Sequence, residues 1–487
     1  MKPSKSGEIS SGLQTYQVSQ GNRSPDSPGI IYPPTLDFDY LVQRPQQLLK
    51  SISQLGVTVY FLNHPAYHQG QYQGIERYNQ HLFLFHHTKP SYPPTTRPVV
   101  YYSNPSQVEL IHSYNPCLIV FDSLDEPVDE FSPWQPYYHR AVSSADLVLA
   151  ASDKLYARAQ AINPHTILLP NGCDYDYFNR ARSNRFAPPD LPQLGRAVIG
   201  YMGAVASWCD LELLDKLAQV FSDCSLLIIG PLYNVRNIPL HPNIHWLGYK
   251  AYEDLIYYAS YFDVGIIPFK QSDMTAAVNP IKMWEYMAMG IPVVTTALPE
   301  TQKYSEELYY SPERQDFINN VWRALKQENW EKCERRMSLA QENSWMARAK
   351  VMLEAIQERL REKGVKVQET LPIPASATPY KRKNWFYQGE HVRFQSPARK
   401  YAVPVQRENT RPSANSTPTP FPAINSSRLG GVCQAKRWPT VYSPEKIKPL
   451  PLSIDTGTSS LAISSQTVNS FHYKSGQKPV RSGEYPC

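Results

Sequence analysis

The stretch AVNPIKMWEYMAMGIPVVTT, residues 277–296, decides the fold of this chain. Asn279 is a favourable N-cap, and Pro280 suits the first helical position because the N–H that proline lacks would have no partner there. Gly290 fits the position just after a helix, and a proline two residues later forbids continuation. The stretch therefore predicts a helix over residues 280–289 followed at once by a β-branched strand, which is one unit of an α/β fold.

Two charged side chains stand among the apolar residues of this predicted helix. Lys282 and Glu285 are three residues apart, so they lie on neighbouring positions of one helix surface. A helix N-terminus carries partial positive charge and free N–H groups, and Lys282 adds a full charge, which together suit a diphosphate. Glu285, one turn further in, could accept hydrogen bonds from sugar or ribose hydroxyls. The alternative is an ion pair on a solvated helix face.

The same alternation of strand and helix extends through residues 29–364. Examples are VTVYFLN (57–63), CLIVFDS (117–123), AVIGYMG (197–203), CSLLIIGP (224–231) and DVGIIPF (263–269). Short strands that alternate with helices of 10–12 residues predict parallel sheets with right-handed crossovers. We predict an α/β protein with two Rossmann-like domains, residues 29–178 and 196–364, joined by a charged, proline-rich linker at 179–195. Ligands of such sheets bind outside the carboxyl ends of the strands, so the cleft between the domains is the expected site.

The two ends of the chain have a different composition. Residues 1–28 and 365–487 are rich in Ser, Pro, Thr, Asn and Gln, and from Val365 onward 17 Lys and Arg stand against 6 Asp and Glu. Such segments bury too little apolar surface to offset the entropy of ordering, so we predict flexible tails. The basic and aromatic run YKRKNWFYQGEHVRF (380–394) suits either an anionic membrane surface or a solvated linker, and we expect no nucleic acid partner.

Cysteine usage and hydropathy bear on location. The seven cysteines include no C-x-x-C pair, which argues against a zinc site or a disulfide framework. The N-terminal residues lack an apolar core typical of a signal peptide, and no run reaches the roughly 18 apolar residues that cross a bilayer. We predict a cytoplasmic protein, with any membrane association at the inner surface only.

A glycine turn in the second predicted domain supports a phosphate site. Gly203 and Ala204 follow the strand AVIGYM, and a glycine at the carboxyl end of a strand lets the backbone approach a phosphate closely. A glycine there is also often a simple turn. Because this strand opens the same domain as the predicted helix, we favour the phosphate site. The predicted nucleotide-sugar-binding residues are Gly203, Ala204, Asn279, Pro280, Lys282 and Glu285.

In the first predicted domain, charged residues lie where the cleft is expected. Arg44 begins a helix after the first strand, where a guanidinium could engage an anionic acceptor or a donor phosphate, or lie on the surface. Asp122, Asp125 and Glu126 follow the strand CLIVFDS, and one of them could orient an acceptor hydroxyl or act as a base while the others cap a helix. We predict Asp125 and Lys282 as catalytic residues, and Arg44 and Asp122 as acceptor-side residues.

Several motifs occur in an order that resembles GT-B-fold glycosyltransferases of family 4. They are NGCDYDYF (171–178), GYMGA (200–204), LLIIGP (226–231), IHWLGYK (244–250), DVGIIPF (263–269) and NPIKMWEYMAMGIPVV (279–294). DFDYLVQRPQQLL (37–49) and FDSLDE (121–126) are similar to the acceptor domain of a bacterial subgroup that includes teichuronic-acid-type envelope glycosyltransferases. The resemblance covers roughly residues 29–360.

This resemblance implies a GT-B architecture and a nucleotide sugar, UDP- or GDP-linked, as co-substrate. The family's helix motif carries two glutamates eight positions apart. The second corresponds to Glu285, which in such enzymes holds the nucleotide ribose, whereas the first falls at Ala277. That glutamate helps to manage the donor sugar, so its absence leaves donor identity and the retaining stereochemistry of the family open.

Two classes of function follow. The first is a glycosyltransferase that moves a sugar from a nucleotide sugar to a carbohydrate or lipid-linked acceptor in envelope polysaccharide synthesis. The second is a GT-B protein that has lost turnover and acts as a binding scaffold, which Ala277 favours. Asp174 and Asp176 form a D-x-D that holds a metal in a different glycosyltransferase fold. GT-B enzymes use the helix dipole and basic residues instead, so we predict no metal and no cofactor.

Overall fold

The computed structural model describes residues 28–64, 74–86, 97–182 and 186–365. They form two α/β domains, each built on its own predominantly parallel sheet. The two Rossmann-like domains predicted from the sequence are therefore confirmed. The predictions for residues 1–27 and 366–487, including the basic aromatic run, lie outside the described residues.

The first domain is built on a sheet of eight strands within the described ranges. They are Ile30–Tyr32 (β1), Val59–Leu62 (β2), Gly74–Arg77 (β3), Leu82–His86 (β4), Val99–Tyr102 (β5), Leu118–Ser123 (β6), Leu147–Ala150 (β7) and Thr166–Leu168 (β8). Their order is β3–β4–β2–β1–β5–β6–β7–β8, and every neighbouring pair is parallel except β3 with β4. The chain builds outward from β1 to one side and then crosses to β5 on the other. The strand order thus reverses between β1 and β5, where the loops diverge and leave a crevice.

Helices cover the faces of this sheet. The α-helices are Arg44–Gln54 (α1), Gln135–Ser143 (α2) and Asp153–Gln160 (α3), and the 3₁₀ helices are Pro105–Glu109, Ile111–Tyr114 and Asp129–Trp134. Strands β2, β5, β6 and β7 are buried at every position, as expected for parallel strands with covered faces. Helix α1 has Pro45 in its first turn and is followed by Gly56 at a φ of 88°, which is a regular start and end.

The second domain has a six-stranded, fully parallel sheet. Its strands are Val198–Met202 (β9), Ser225–Ile229 (β10), Ile244–Gly248 (β11), Val264–Ile267 (β12), Val293–Thr296 (β13) and Tyr309–Ser311 (β14). Their order is β11–β10–β9–β12–β13–β14, so the strand order reverses between β9 and β12. A second crevice therefore lies beyond the carboxyl ends of these two strands.

The helices of the second half are mostly short. They are Tyr175–Asn179 (α4), Leu211–Val220 (α5), Tyr252–Ala259 (α6), Ile281–Ala288 (α7), Pro299–Gln302 (α8), Arg314–Gln327 (α9), Trp330–Glu342 (α10) and Trp345–Glu362 (α11), with 3₁₀ turns at Arg180–Arg182 and Thr275–Ala277. None of the helices within the described ranges is long and apolar enough to cross a membrane.

Packing at both predicted domain boundaries differs from the sequence-based division. Cys173 and Phe178 belong to the core of the second domain, although the first was predicted to run to residue 178. Helix α11 returns to the first domain, where Trp345 and Met352 join the core around α1, although residues 196–364 were predicted as one domain. The reason is that the apolar face of α11 packs against α1. A local sequence pattern shows that such a face exists but does not specify which distant helix covers it.

Candidate functional site

Helix α7 begins at the crevice of the second domain, and its start differs from the prediction. The helix runs over Ile281–Ala288 with Pro280 as N-cap, and no side chain caps it. Gly290 follows it at a φ of 72°, as predicted from the sequence. The Met283 amide donates to the Pro280 carbonyl at 3.1 Å, whereas the amides of Ile281 and Lys282 have no acceptor in the described part of the chain and remain available to a ligand.

The side chain of Asn279 has a structural role instead of the predicted capping one. Its side chain is 3 % exposed; the amide nitrogen donates to Glu300 (2.8 Å), and the amide oxygen accepts from the indole of Trp284 (3.1 Å). The Asn279 carbonyl oxygen accepts from Asn171 at 2.6 Å. The prediction that the Asn279 side chain caps the helix is therefore wrong, since both ends of its amide are bonded to Glu300 and Trp284.

Lys282 projects from the first turn of α7 over the glycine turn that follows β9. A Cβ atom placed on Gly203 would lie 3.0 Å from the Cε and 3.3 Å from the Nζ of Lys282. The ammonium group lies 4.7 Å from the ring centroid of Phe269 and 5.3 Å from that of Tyr201. Burial lowers the pKa of Lys282 below its usual value. Within the described ranges no carboxylate forms a salt bridge with this ammonium group; two aromatic faces lie beside it, and the charge of Glu285 acts on it without direct contact.

The turn at Gly203 presents a free backbone donor beside this lysine. Gly203 has a φ of 126°, a conformation that favours glycine. The Gly203 amide donates to Ile229 and the Val205 amide to Pro231, at 2.8 and 2.9 Å, whereas the Ala204 amide has no acceptor in the described part of the chain. Because β9 and β12 flank the reversal of strand order, this amide, Lys282 and the α7 N-terminus converge at one crevice.

Glu285 lies one turn further along α7 and carries the second unusual charge. Its side chain is 8 % exposed, and no hydrogen-bond donor in the described residues contacts the carboxylate. Burial raises the pKa of Glu285 from 4.5 to about 7; the charge of Lys282 opposes this effect, and that of Asp174 adds to it. The alternative of a solvated ion pair is wrong, because neither charge is fully exposed and the two do not form a salt bridge.

Together these groups form an arrangement suited to a bound diphosphate with an adjacent polyol. The ammonium group, the helix N-terminus and a free amide present positive potential to one place. The carboxylate of Glu285 is an acceptor with no donor, and hydroxyl groups of a ligand would satisfy it. Among the described residues no group of three or more His, Cys, Asp or Glu is placed to hold a metal ion.

Aromatic residues of this site were not found by sequence reasoning. Tyr201 and Phe269 flank Lys282, and the hydroxyl of Tyr286 accepts from the Met202 amide at 2.8 Å, which ties α7 to the end of β9. Tyr286 packs over Gly265, where a Cβ would lie 2.6 Å from its ring. The sequence feature that could have identified Tyr201 and Phe269 is their place near the carboxyl ends of β9 and β12, where ligands bind.

Arg44 and Asp122 form a buried structural pair, which corrects their prediction as acceptor-binding residues. Arg44 Nε and Nη2 donate to the two carboxylate oxygens at 2.8 and 3.0 Å, and the residues are 1 % and 0 % exposed. Arg44 Nη1 donates to the carbonyl of Leu169 (2.7 Å), and Tyr101 donates to Asp122 at 2.5 Å. The hydrogen bonds of the guanidinium thus connect α1 with β6 and with the segment after β8.

Asp125 is the acidic residue after β6 that stays unpaired. It is partly exposed, and no ion pair or hydrogen bond to its carboxylate occurs within the described residues. Burial raises the pKa of Asp125 to about 7, and the charge of Asp122 adds to this. The neighbouring Glu126, in contrast, pairs with Arg158. This agrees with the alternative that some of the acids after β6 have a structural role. Asp125 is therefore the acidic residue of this loop that remains available to a ligand.

Ala277 lies in the contact between the two domains. It is fully buried, and it packs with Ala150, Ala151 and Leu155 of the first domain. A polar seam continues this contact, because Glu300 accepts from the Asp153 amide at 2.9 Å. The position at which the resembling family carries a glutamate is here a tightly packed methyl group.

A second contact joins the domains through aromatic side chains. The hydroxyls of Tyr40 and Tyr233 are 3.0 Å apart, and the rings of Tyr40 and Tyr249 are 4.9 Å apart. The first domain thus touches the second through the loop before α1 as well as through α3.

Comparisons with known proteins agree with this geometry. Residues 196–327 match the family model described as "Glycosyl transferases group 1". The chain is 30 % identical over 184 residues to "Putative teichuronic acid biosynthesis glycosyltransferase TuaH" of Bacillus subtilis (strain 168). That alignment covers 35 % of this chain and 45 % of the relative, so the chain spans less than half the length of the curated relative it matches.

Solved structures share the fold. A sucrose-phosphate synthase from Thermosynechococcus elongatus superposes with a TM-score of 0.54 at 16 % identity, over 69 % of this chain and 100 % of that one. A trehalose-6-phosphate structure from E. coli bound with UDP-2-fluoro glucose superposes with a TM-score of 0.51 at 10 % identity, over 68 % and 99 %. At these identities the likeness concerns the fold, and the architecture is that of GT-B glycosyltransferases.

Proposed function

We propose that this chain, whose residues 196–327 match the group 1 glycosyltransferases, transfers a glycosyl unit from a nucleotide sugar to a carbohydrate or lipid-linked acceptor. The observation that carries the proposal is Lys282, which lies without a carboxylate partner over the Gly203 turn at the reversal of strand order. A partly buried cation that forms no salt bridge within the described residues favours an anionic ligand, and a diphosphate fits the adjacent amides.

In this proposal each group has one task. Lys282, the Ala204 amide and the α7 N-terminus bind the diphosphate, and Glu285 accepts hydrogen bonds from the nucleotide ribose. The bond from the anomeric carbon to the diphosphate oxygen breaks, and the nucleoside diphosphate leaves with the electron pair. Lys282 stabilises this developing negative charge, which is where electrostatic catalysis has its largest effect.

The acceptor completes the reaction from the side of the first domain. Its hydroxyl oxygen forms the new bond to the anomeric carbon, and its proton passes to a base or to the departing phosphate. Asp125 is the candidate for orienting this hydroxyl, because its pKa of about 7 keeps a part of it ionised near neutral pH. The resemblance supports retention of configuration, a UDP- or GDP-linked donor and a role in envelope polysaccharide synthesis.

A second candidate function is a nucleotide-binding scaffold without turnover. The observation that favours it is Ala277, whose buried methyl group contacts the first domain at the position where the family's donor-sugar glutamate falls. Both candidates predict nucleotide binding, and only the first predicts transfer or donor hydrolysis.

The test uses the purified full chain with a panel of UDP-, GDP- and TDP-sugars. Binding is measured by calorimetry, and turnover by release of the nucleoside diphosphate with and without added acceptor. We expect one nucleotide class to bind and to turn over. Binding without turnover of any donor would select the scaffold, and absence of all nucleotide binding would reject both functions.

Lys282→Met tests the role of the ammonium group, because Met is an unbranched side chain that removes the charge beside Tyr201 and Phe269. We expect kcat to fall by about a hundredfold, with a smaller rise in donor KM. Lys216→Met, at an exposed position of α5, is the matched control and should retain full activity. Equal activity of Lys282→Met and the wild type would remove Lys282 from the mechanism.

A further inference from the structure

A small cavity lies at the crevice of the first domain, where the strand order reverses between β1 and β5. Its volume is about 50 Å³. The lining residues follow β1, β5 and β6 or belong to the adjacent 3₁₀ helix; they include Leu36, Asn104, Leu124, Asp125, Phe131 and Trp134. Open α/β sheets bind ligands at this topological position. The first domain therefore has a crevice of its own, separate from the one beside Lys282.

Two aromatic rings form one wall of the cavity. The ring centroids of Phe131 and Trp134 are 4.7 Å apart and their planes are inclined by 36°, and both side chains are partly exposed. The face of an aromatic ring carries partial negative charge, which attracts the weakly positive C–H groups on one face of a sugar ring. An aromatic wall with a few polar groups is the usual lining of a small-molecule site.

Five polar residues line the cavity: Thr35, Gln43, Ser103, Asn104 and Asp125. The side chains of Thr35, Gln43 and Ser103 make hydrogen bonds within the protein, so Asn104 and Asp125 are the two considered for a ligand. The side-chain oxygen of Asn104 accepts from the amide and the hydroxyl of Ser106, at 3.0 and 2.9 Å. Its NH₂ group donates to no other group in the described part of the chain. The carboxylate of Asp125 likewise has no partner there. A ligand edge that bears hydroxyl groups can both accept from Asn104 and donate to Asp125.

The charge of the cavity is negative. Asp125 is the only charged residue in its lining as the structure describes it, and the exposed Asp129 and Glu130 lie on the adjacent 3₁₀ helix. Arg44 and Arg158 do not offset this charge, because Arg44 is bound to Asp122 and Arg158 to Glu126. A carboxylate or phosphate on a ligand would meet repulsion here and no cation.

Size and position fit one edge of a larger ligand. A cavity of about 50 Å³ holds one or two waters, so it admits a hydroxyl-bearing edge while the rest of a ring lies against Phe131 and Trp134. Leu124 lines the cavity and also packs against the cluster that contains Ala277 of the second domain. The cavity thus adjoins the contact between the domains.

We propose that this cavity and the Phe131–Trp134 pair bind the acceptor as a sugar unit without negative charge, with Asn104 and Asp125 contacting its hydroxyls. This inference rests on the proposed glycosyl transfer and adds the chemical class of the acceptor. It replaces the anionic acceptor that Arg44 suggested, since that guanidinium is consumed by Asp122.

The test measures sugar binding to the full chain without any donor, by ligand-observed NMR. The probes are the methyl glycosides of glucose, galactose, mannose and glucosamine, with glucuronate and glucose 6-phosphate as anionic counterparts. We expect at least one neutral or amino glycoside to bind, and both anionic sugars to bind at least tenfold more weakly. Tighter binding of either anion, or no binding of any uncharged or amino sugar, would overturn the proposal.

Variants locate the binding. Trp134→Ala is expected to weaken binding of the uncharged probe about tenfold, whereas Trp330→Ala, at an exposed tryptophan of α10, should leave it unchanged. Asp125→Asn should reduce the discrimination against glucuronate, with Asp129 and Glu130 left in place, and thermal melts verify that each variant is folded. Binding that is insensitive to Trp134→Ala would refute the site. No nucleotide takes part in this experiment. A negative result would therefore reject the acceptor site without affecting the nucleotide-binding test of the proposed function.

Discussion

Replacing Glu285 by Gln should stabilise the folded protein in a pH-dependent way. Burial, the largest cause, raises the pKa of this carboxyl from 4.5 to about 7, and Asp174 adds to the effect while Lys282 opposes it. The folded state therefore binds more protons than the unfolded state between these two values. Stability that is fully present below pH 4.5 is lost as the pH rises through about 7.

The size of the effect follows from the shift. A rise of about 2.5 pKa units corresponds to about 3 kcal/mol at about 1.4 kcal/mol per unit. Glutamine has the same shape and stays neutral, so it removes this penalty. We expect Glu285→Gln to be about 2–3 kcal/mol more stable than the wild type at pH 8 and equal to it near pH 4.5.

The assay is urea unfolding of the full chain at both pH values, with Glu306→Gln as the control. Glu306 is exposed, and its substitution should change the free energy of unfolding by less than about 0.5 kcal/mol at either pH. A stabilisation by Glu285→Gln of the same size at pH 4.5 and pH 8 would show that the buried charge is not its cause.

The same variant links stability to ligand binding. If the ionised carboxylate accepts ribose hydroxyls, nucleotide affinity of the wild type should rise with pH through about 7, and Glu285→Gln should lower it by about 1–3 kcal/mol at pH 8. A stabilised variant with unchanged nucleotide affinity would confine Glu285 to a structural effect.

Two further substitutions test the packing around the site. Ala277→Glu should lower the free energy of unfolding by several kcal/mol, because it buries a charge against the first domain. Ala276→Glu, at a partly exposed position, is the control and should lower the free energy of unfolding by less. Wild-type stability of Ala277→Glu together with faster donor turnover would contradict this reasoning. Asp122→Asn should cost about 3–5 kcal/mol because it leaves the guanidinium of Arg44 buried without its counter-ion. Glu109→Gln, in an exposed pair with Arg140, is the control at about 0–1 kcal/mol, and equal unfolding midpoints for the two variants would refute the structural role of Asp122.

The fold could be predicted from the sequence because its signals are local. Buried parallel strands read as continuous β-branched runs, and the glycine after α7 marks its end at Gly290. The start of α7 was misplaced because the side chain of Asn279 bonds to Glu300 and Trp284 instead of capping the helix. Glu300 lies 21 residues further along the chain, so a local sequence pattern does not show that it binds the Asn279 side chain.

The candidate site was predictable where each residue lies near a strand end. Lys282 and Gly203 meet as the topology of a parallel sheet requires. Arg44 and Asp122 were misinterpreted because a charge near the expected cleft looks the same in sequence whether it is exposed or paired. The cavity beside Phe131 depends on the order of strands in the sheet, which sequence periodicity does not specify.

Helix α11 gives the chain an unusual order of assembly during synthesis. The first domain contributes residues from the start of the chain, yet Trp345 and Met352 complete its core. A ribosome must therefore translate the whole second domain before the apolar face of α1 is covered. The first domain therefore has an incomplete hydrophobic core until α11 is translated, and its exposed apolar surface favours chaperone binding and aggregation. Expression of the N-terminal half alone is thus a poor route to the isolated domain.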